Sequence, residues 1–244
     1  MAPMVAMARM PTRMNTTDSD DISPAGLLRL FQLVSPALPI GAYTYSQGLE
    51  YAVERGWVGD EHTARDWILG QIEHALPHLD LPVLRRLYDA CHRDDWDGWL
   101  TWSRFLQASR ESAELLAEDR HLGQALAQLL EKLDEASPLT RIRRQDMSFA
   151  GCYAYACVHW QIPRQQAARG YLWIWAEGQV AAAIKLVPLG QTAGQRILSQ
   201  IIERIPAAVE LGFLVEDQAI GRAAPALAIA SARHETQYTR LFRS

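Results

Sequence analysis

A chain of 244 residues, 49% apolar and 21% charged, has globular composition and enough length to bury one sizeable core. Its net charge of −4 argues against a strongly basic nucleic-acid-binding surface, and no apolar run approaches the roughly 18 residues that cross a bilayer. Three cysteines (Cys91, Cys152 and Cys157), an odd number with no secretory signal, argue against a disulfide framework and suit a reducing, cytoplasmic compartment.

Residues 1–22 are expected to be a disordered leader, since Pro3, Arg9, Pro11 and Arg13 break up any targeting pattern. From residue 23 to 244 the pattern is helical almost throughout, with alanine and leucine dominant. Ser23-Pro24 starts the first helix, a serine cap followed by a proline where a missing N–H costs nothing. That helix runs through Val34 and stops at Ser35-Pro36-Ala37-Leu38-Pro39-Ile40-Gly41. A second helix is expected from near Ser46 to Gly56. Asp60 caps a third, whose Ile68, Ile72 and Leu76 fall at helical spacing until Pro77. Helices over 80–91 and 94–107 precede a long one over 109–133. The long one carries a stripe of Leu115, Leu122, Leu126, Leu129 and Leu133, broken only by Asp119.

After Ser137-Pro138, helices are expected near 146–160, 163–187, 191–214 and 225–239. Pro163 suits a first helical turn, Pro188 closes that helix, and Pro206 should kink the next or divide it. With no repeat and no long linker, the reading is an all-α, single-domain multi-helix bundle of about nine or ten helices.

Signatures of enzyme chemistry are scarce. Neither Lys132 nor Lys185 sits in a phosphate-binding loop, and HExxH, paired CxxC and GxSxG are all absent. His74 and His78, near Glu73 and Asp80, are four residues apart, but Pro77 ends the helix between them. Cys91-His92 is a weak pair because neighbours on a helix point apart, and Cys152 and Cys157 read as small core residues. Lys185 lies in an apolar stretch and must snorkel, pair with an acid or face a partner. Trp96, Trp99 and Trp102, with Tyr171, Trp173 and Trp175, suit core packing or partner anchoring. The basic run Arg141-Ile142-Arg143-Arg144 reads as a solvated loop or a contact for an acidic partner.

Two segments are not ordinary core. One is Ser35 to Glu50, a proline- and glycine-fixed turn that presents Tyr43, Tyr45 and Glu50. The other is His234 to Ser244, which keeps Tyr238, Arg240, Leu241, Phe242 and Arg243 where chain ends normally turn polar. The Ser-x-x-Leu-Pro-x-Gly…Ser-x-Gly-Leu-Glu turn and the Arg-Leu-Phe-Arg-Ser end resemble the UreF family of urease accessory proteins. Ser109-Arg110-Glu111 and Lys185-Leu186-Val187-Pro188-Leu189-Gly190-Gln191 resemble further blocks of that family, and the likeness covers roughly residues 24–244.

The resemblance implies a non-catalytic, all-helical homodimer required for maturation of the urease nickel metallocentre. It would bridge UreD (UreH in some systems) and the GTPase UreG on apo-urease, recruiting or gating the GTPase, with nickel and GTP acting through those partners. No cofactor of its own, no nucleic acid and no membrane is implied. The partner-binding residues expected from the family blocks are Tyr43, Ser46, Glu50, Lys185, Tyr238, Arg240, Arg243 and Ser244. A nickel-binding chaperone using His74, His78, Cys91 or His92 is the first alternative, and a helical enzyme of unknown chemistry the second. On the scaffold reading, removal of residues 240–244 should spare the fold and abolish assembly.

Overall fold

The computed structural model describes residues 21–133, 137–222 and 224–244, so the expected leader lies outside them but for its last two residues. Ten α-helices and no strand occur among the described residues. They are α1 (Pro24–Leu33), α2 (Leu49–Glu54), α3 (Glu61–His74), α4 (Asp80–His92), α5 (Trp96–Ala108), α6 (Ala113–Leu133), α7 (Phe149–His159), α8 (Arg164–Leu186), α9 (Gln191–Leu214) and α10 (Pro225–His234).

Local chemistry sets most of the boundaries. Ser23 caps α1 by accepting the Gly26 N–H, and Asp60 caps α3 in a reciprocal capping box with Thr63. Pro77 diverts the chain into a short 3-10 turn, Leu76–His78, before α4. Pro163 stands just outside α8 as its N-cap residue. Pro206, expected to kink or divide its helix, lies inside α9, which runs unbroken from Gln191 to Leu214. The single hydrogen bond that proline removes is outweighed by the burial of Ile205, Ala208 and Val209 around it.

The centre of the bundle is α7. Phe149 to Cys157 are all buried, and such a helix, apolar on every side, belongs in the interior. It packs on α4, α6 and α8, while α8 lies along α9 and α4 reaches α5 and α9. Small residues permit the close approach. A Cβ on Gly151 would stand 2.5 Å from the ring of fully buried Trp99, whose indole N–H donates to the Gly151 carbonyl at 3.1 Å. Cys91, Cys152 and Cys157 are buried and unbridged, and burial pushes all three thiols up and away from reactivity.

Several helices are shorter than the sequence pattern suggests, α2 and α10 the most. α2 starts at Leu49 because Gln47 (φ 52°) and Gly48 (φ 79°) both take the left-handed conformation. α10 ends at His234, which is fully buried, and the chain then turns back across the molecule. Gly48 is the point where these two departures meet, since a Cβ there would lie 2.7 Å from the Ser231 nitrogen on α10. Gly48→Ala is therefore expected to cost about 2–4 kcal/mol, from the left-handed backbone plus the overpacked helix contact, read as a loss in chemical-denaturation stability.

Candidate functional site

The two unusual segments of the sequence meet each other. Glu50, at the start of α2, is buried, and its carboxylate accepts the main-chain N–H groups of Leu241 (2.6 Å) and Phe242 (2.9 Å). Ser46 completes the attachment: its N–H and its hydroxyl both donate to the Ser244 main-chain oxygen, at 2.6 and 2.5 Å. The Arg243 N–H donates to the Thr44 carbonyl at 2.9 Å. Residues 235–244 thus form a strap laid across the turn at 42–50, with the N–H groups of Leu241, Phe242 and Arg243 taken up by the turn.

A second tier of polar contacts holds the strap from below. His234 places Nδ1 2.7 Å from Glu114 and Nε2 3.2 Å from Glu50, an arrangement that an imidazolium satisfies with two N–H donors. Glu114 also accepts from Arg240 at 2.7 Å. Beside them the Ser112 and Ser231 hydroxyls pair at 2.6 Å, joining the start of α6 to α10.

Deeper still, a cavity of about 90 Å³ opens between α4, α6 and α8. Asp80, Arg110, Glu118, Asp119, Tyr171 and Gln179 line it. Arg110 donates to Asp80 at 2.9 Å and lies 3.4 Å from Asp119, and the Tyr171 hydroxyl donates to Asp80 at 3.3 Å. Burial works against the Arg110 charge, but Asp80 and Asp119 outweigh it and hold the guanidinium well above its ordinary range. Glu118 accepts from Gln47 (2.8 Å) and from the Ser244 hydroxyl (3.1 Å), so the cavity wall and the strap share one carboxylate. Burial pushes that carboxyl from its ordinary 4.5 up to about 7, against the pull of those two bonds.

The expected contact residues divide into two groups. Ser46, Glu50 and Ser244 are buried and act as anchors beneath the strap. Tyr238, Arg240 and Arg243 face outward on the strap, Tyr238 completely. Tyr43 is half-buried with its hydroxyl on Glu177 at 2.7 Å. Lys185 snorkels out of its apolar helix, with its ammonium 5.5 Å from the centre of the Phe242 ring on the strap. The structure does not gather the histidines into a metal-binding group among the described residues. His74 ends α3 and His78 sits in the 3-10 turn, and the described residues contain no group of three or more His, Cys, Asp and Glu suited to a metal ion. Sequence reasoning missed His234, Glu114, Glu118, Gln47 and Gln179; the only local signal was Asp119, the acidic break in the leucine stripe of α6.

Comparisons with known proteins agree with one another. The UreF family model matches residues 58–202. A urease accessory protein UreF from Alkalilimnicola ehrlichii is 52% identical over 221 residues, spanning 88% of this chain and 95% of that protein. Proteins of the same name from Pseudomonas putida (48%, 91% of this chain and 99% of theirs) and Hahella chejuensis (43%, 91% and 99%) are similar over comparable lengths.

Two outcomes test the geometry. Glu50→Ala leaves two strap N–H groups and His234 Nε2 without their acceptor and is expected to cost about 3 kcal/mol, with accelerated amide exchange at Leu241 and Phe242. Glu118 is a carboxyl raised by folding, so the native state holds a proton that the unfolded chain has released between pH 4.5 and about 7. Stability should fall across that window and level off above it. In Glu118→Gln the fall should be absent, which thermal melts across the same pH range will show.

Proposed function

This chain belongs to the UreF family of urease accessory proteins, and from that premise we propose that it acts as a non-catalytic scaffold in maturation of the urease nickel metallocentre. It bridges UreD/UreH and the GTPase UreG on apo-urease as a cytoplasmic homodimer, and it recruits or gates the GTPase. Nickel and GTP act through those partners and not through a cofactor held by this chain.

One observation carries the reading: Tyr238 and Leu241 stand exposed on a strap whose backbone is pinned to Glu50 and Ser46. Extended segments normally lose conformational freedom when they bind, and that loss weakens association. Here the ordering has already happened on folding, so aromatic, aliphatic and guanidinium groups are offered in a fixed arrangement. Tyrosine and arginine are the side chains that most often anchor interfaces. Tyr43, Lys185, Tyr238, Arg240 and Arg243 provide the outward contacts. Ser46, Glu50 and Ser244 act from beneath, by holding the strap in its binding shape.

The expectation that removal of residues 240–244 spares the fold is revised on this geometry. Deletion would strip Glu50, Ser46 and Glu118 of buried partners, so lost assembly could reflect lost stability. Surface substitutions separate the two. Tyr238→Ala combined with Leu241→Ser should leave the melting temperature within a degree or so and weaken assembly with UreD and UreG by about 30-fold or more. Light scattering on the mixed proteins after size exclusion measures this. A variant that still formed the full complex at unchanged affinity would overturn the role of the strap. A wild-type chain that ignored both partners would overturn the scaffold itself.

A further inference from the structure

The cavity beneath the strap is short of hydrogen-bond donors and of positive charge. Asp119 is 4% exposed; its Oδ2 has no partner, and the rest of the carboxylate is held by the long contact of Oδ1 to Arg110 and by the Phe149 main chain. Gln179 is 3% exposed: its amide N–H donates to the Ser46 carbonyl at 3.2 Å, and its Oε1 has no partner. Both side chains line the same cavity. A buried acceptor left unpaired is costly, so two in one cavity mark the place of an absent donor.

Charge narrows the identity of that donor. A single guanidinium, Arg110, stands between two carboxylates, Asp80 and Asp119, with Glu118 as a further acid on the wall. Both oxygens of Glu118 are already engaged by Gln47 and Ser244. An anion would be repelled, and a neutral acceptor would leave Asp119 and Gln179 as they are. Size narrows it further. At roughly 10–15 Å³ for each water-sized centre, the space holds about six to nine waters, or one very small solute with water beside it. Arg110 Nε also lacks a partner, and an accompanying water supplies the acceptor it needs. The cavity reaches the surface near Glu111 and Arg222, two lining residues that are exposed.

We propose that this cavity is a binding site for a small ammonium-type cation, ammonium itself or methylammonium, which donates hydrogen bonds to Asp119 Oδ2 and Gln179 Oε1. The site lies inside the chain and does not rest on the scaffold reading. The cation supplies both missing donors and balances the excess carboxylate.

The test uses the full chain and compares thermal melts in ammonium chloride and methylammonium chloride with melts in potassium chloride at matched concentrations. Potassium has the charge of ammonium and nearly its radius but no N–H. A ligand that binds only the native state raises the midpoint in proportion to the logarithm of its concentration once the site is saturated. That rise is expected with the ammonium salts and not with potassium. Asp119→Asn should weaken the response about tenfold in concentration, and Gln179→Glu, which adds a carboxylate, should strengthen it. The opposite signs guard against a variant that merely folds poorly. Equal responses to potassium and ammonium would overturn hydrogen-bonded recognition in favour of a plain alkali-cation site. No response to either, with the wild-type chain folded, would mean that water alone fills the cavity and would overturn the proposal.

Discussion

The Glu50 carboxylate is the contact on which the candidate surface depends. It is buried, and it meets two main-chain N–H groups and an imidazole nitrogen that come from residues 234–242. Without it, the strap would have to find water for two backbone N–H groups, and His234 Nε2 would lose its partner. The cost of burying the acid is offset by charge-assisted hydrogen bonds that no neutral side chain would match in number. The fold therefore uses an ionisable group in its interior to fix a peptide segment on its exterior.

The same logic extends inward in layers. Glu114 holds His234 and Arg240, Glu118 holds Gln47 and Ser244, and Asp80 with Asp119 holds Arg110. Three of these acids lie on α6, which turns the face of that helix nearest the strap into a row of acceptors. Gln47 links the row to α8 by accepting the Trp175 indole N–H at 2.7 Å. Below the row, the small residues of α7 let helices approach closely enough that few voids remain, and the cavity stands out against that packing.

Local signals made the helices legible. Ser23-Pro24, the Asp60 capping box and Pro77 each act within a few residues, and the structure places boundaries at all three. The class of fold followed from periodicity for the same reason. Pro206 does not divide α9, whose buried Ile205, Ala208 and Val209 hold the helix together across the missing hydrogen bond. The site was legible only in part. The turn and the strap stood out by composition, but nothing local reveals that each is the other's partner. The contacts of Glu50 with Leu241 and of Ser46 with Ser244 span nearly the whole domain, and periodicity carries no information at that range. Asp119 could have been read as a functional acid, because an apolar stripe tolerates a carboxylate only where something pairs with it or fills the space beside it.

The strap also orders events in time. Ser46 and Ser244 are 198 residues apart, and at about 5–20 residues per second a ribosome makes the second roughly 10–40 s after the first. Throughout that interval the turn at 42–50 lacks the segment whose main-chain N–H groups its buried acceptors take up. Any packing of α3 to α9 within that interval takes place before the segment that covers the turn exists. The turn and the strap are therefore among the first and the last parts of the domain to be made, and their contact can form only at the end of synthesis.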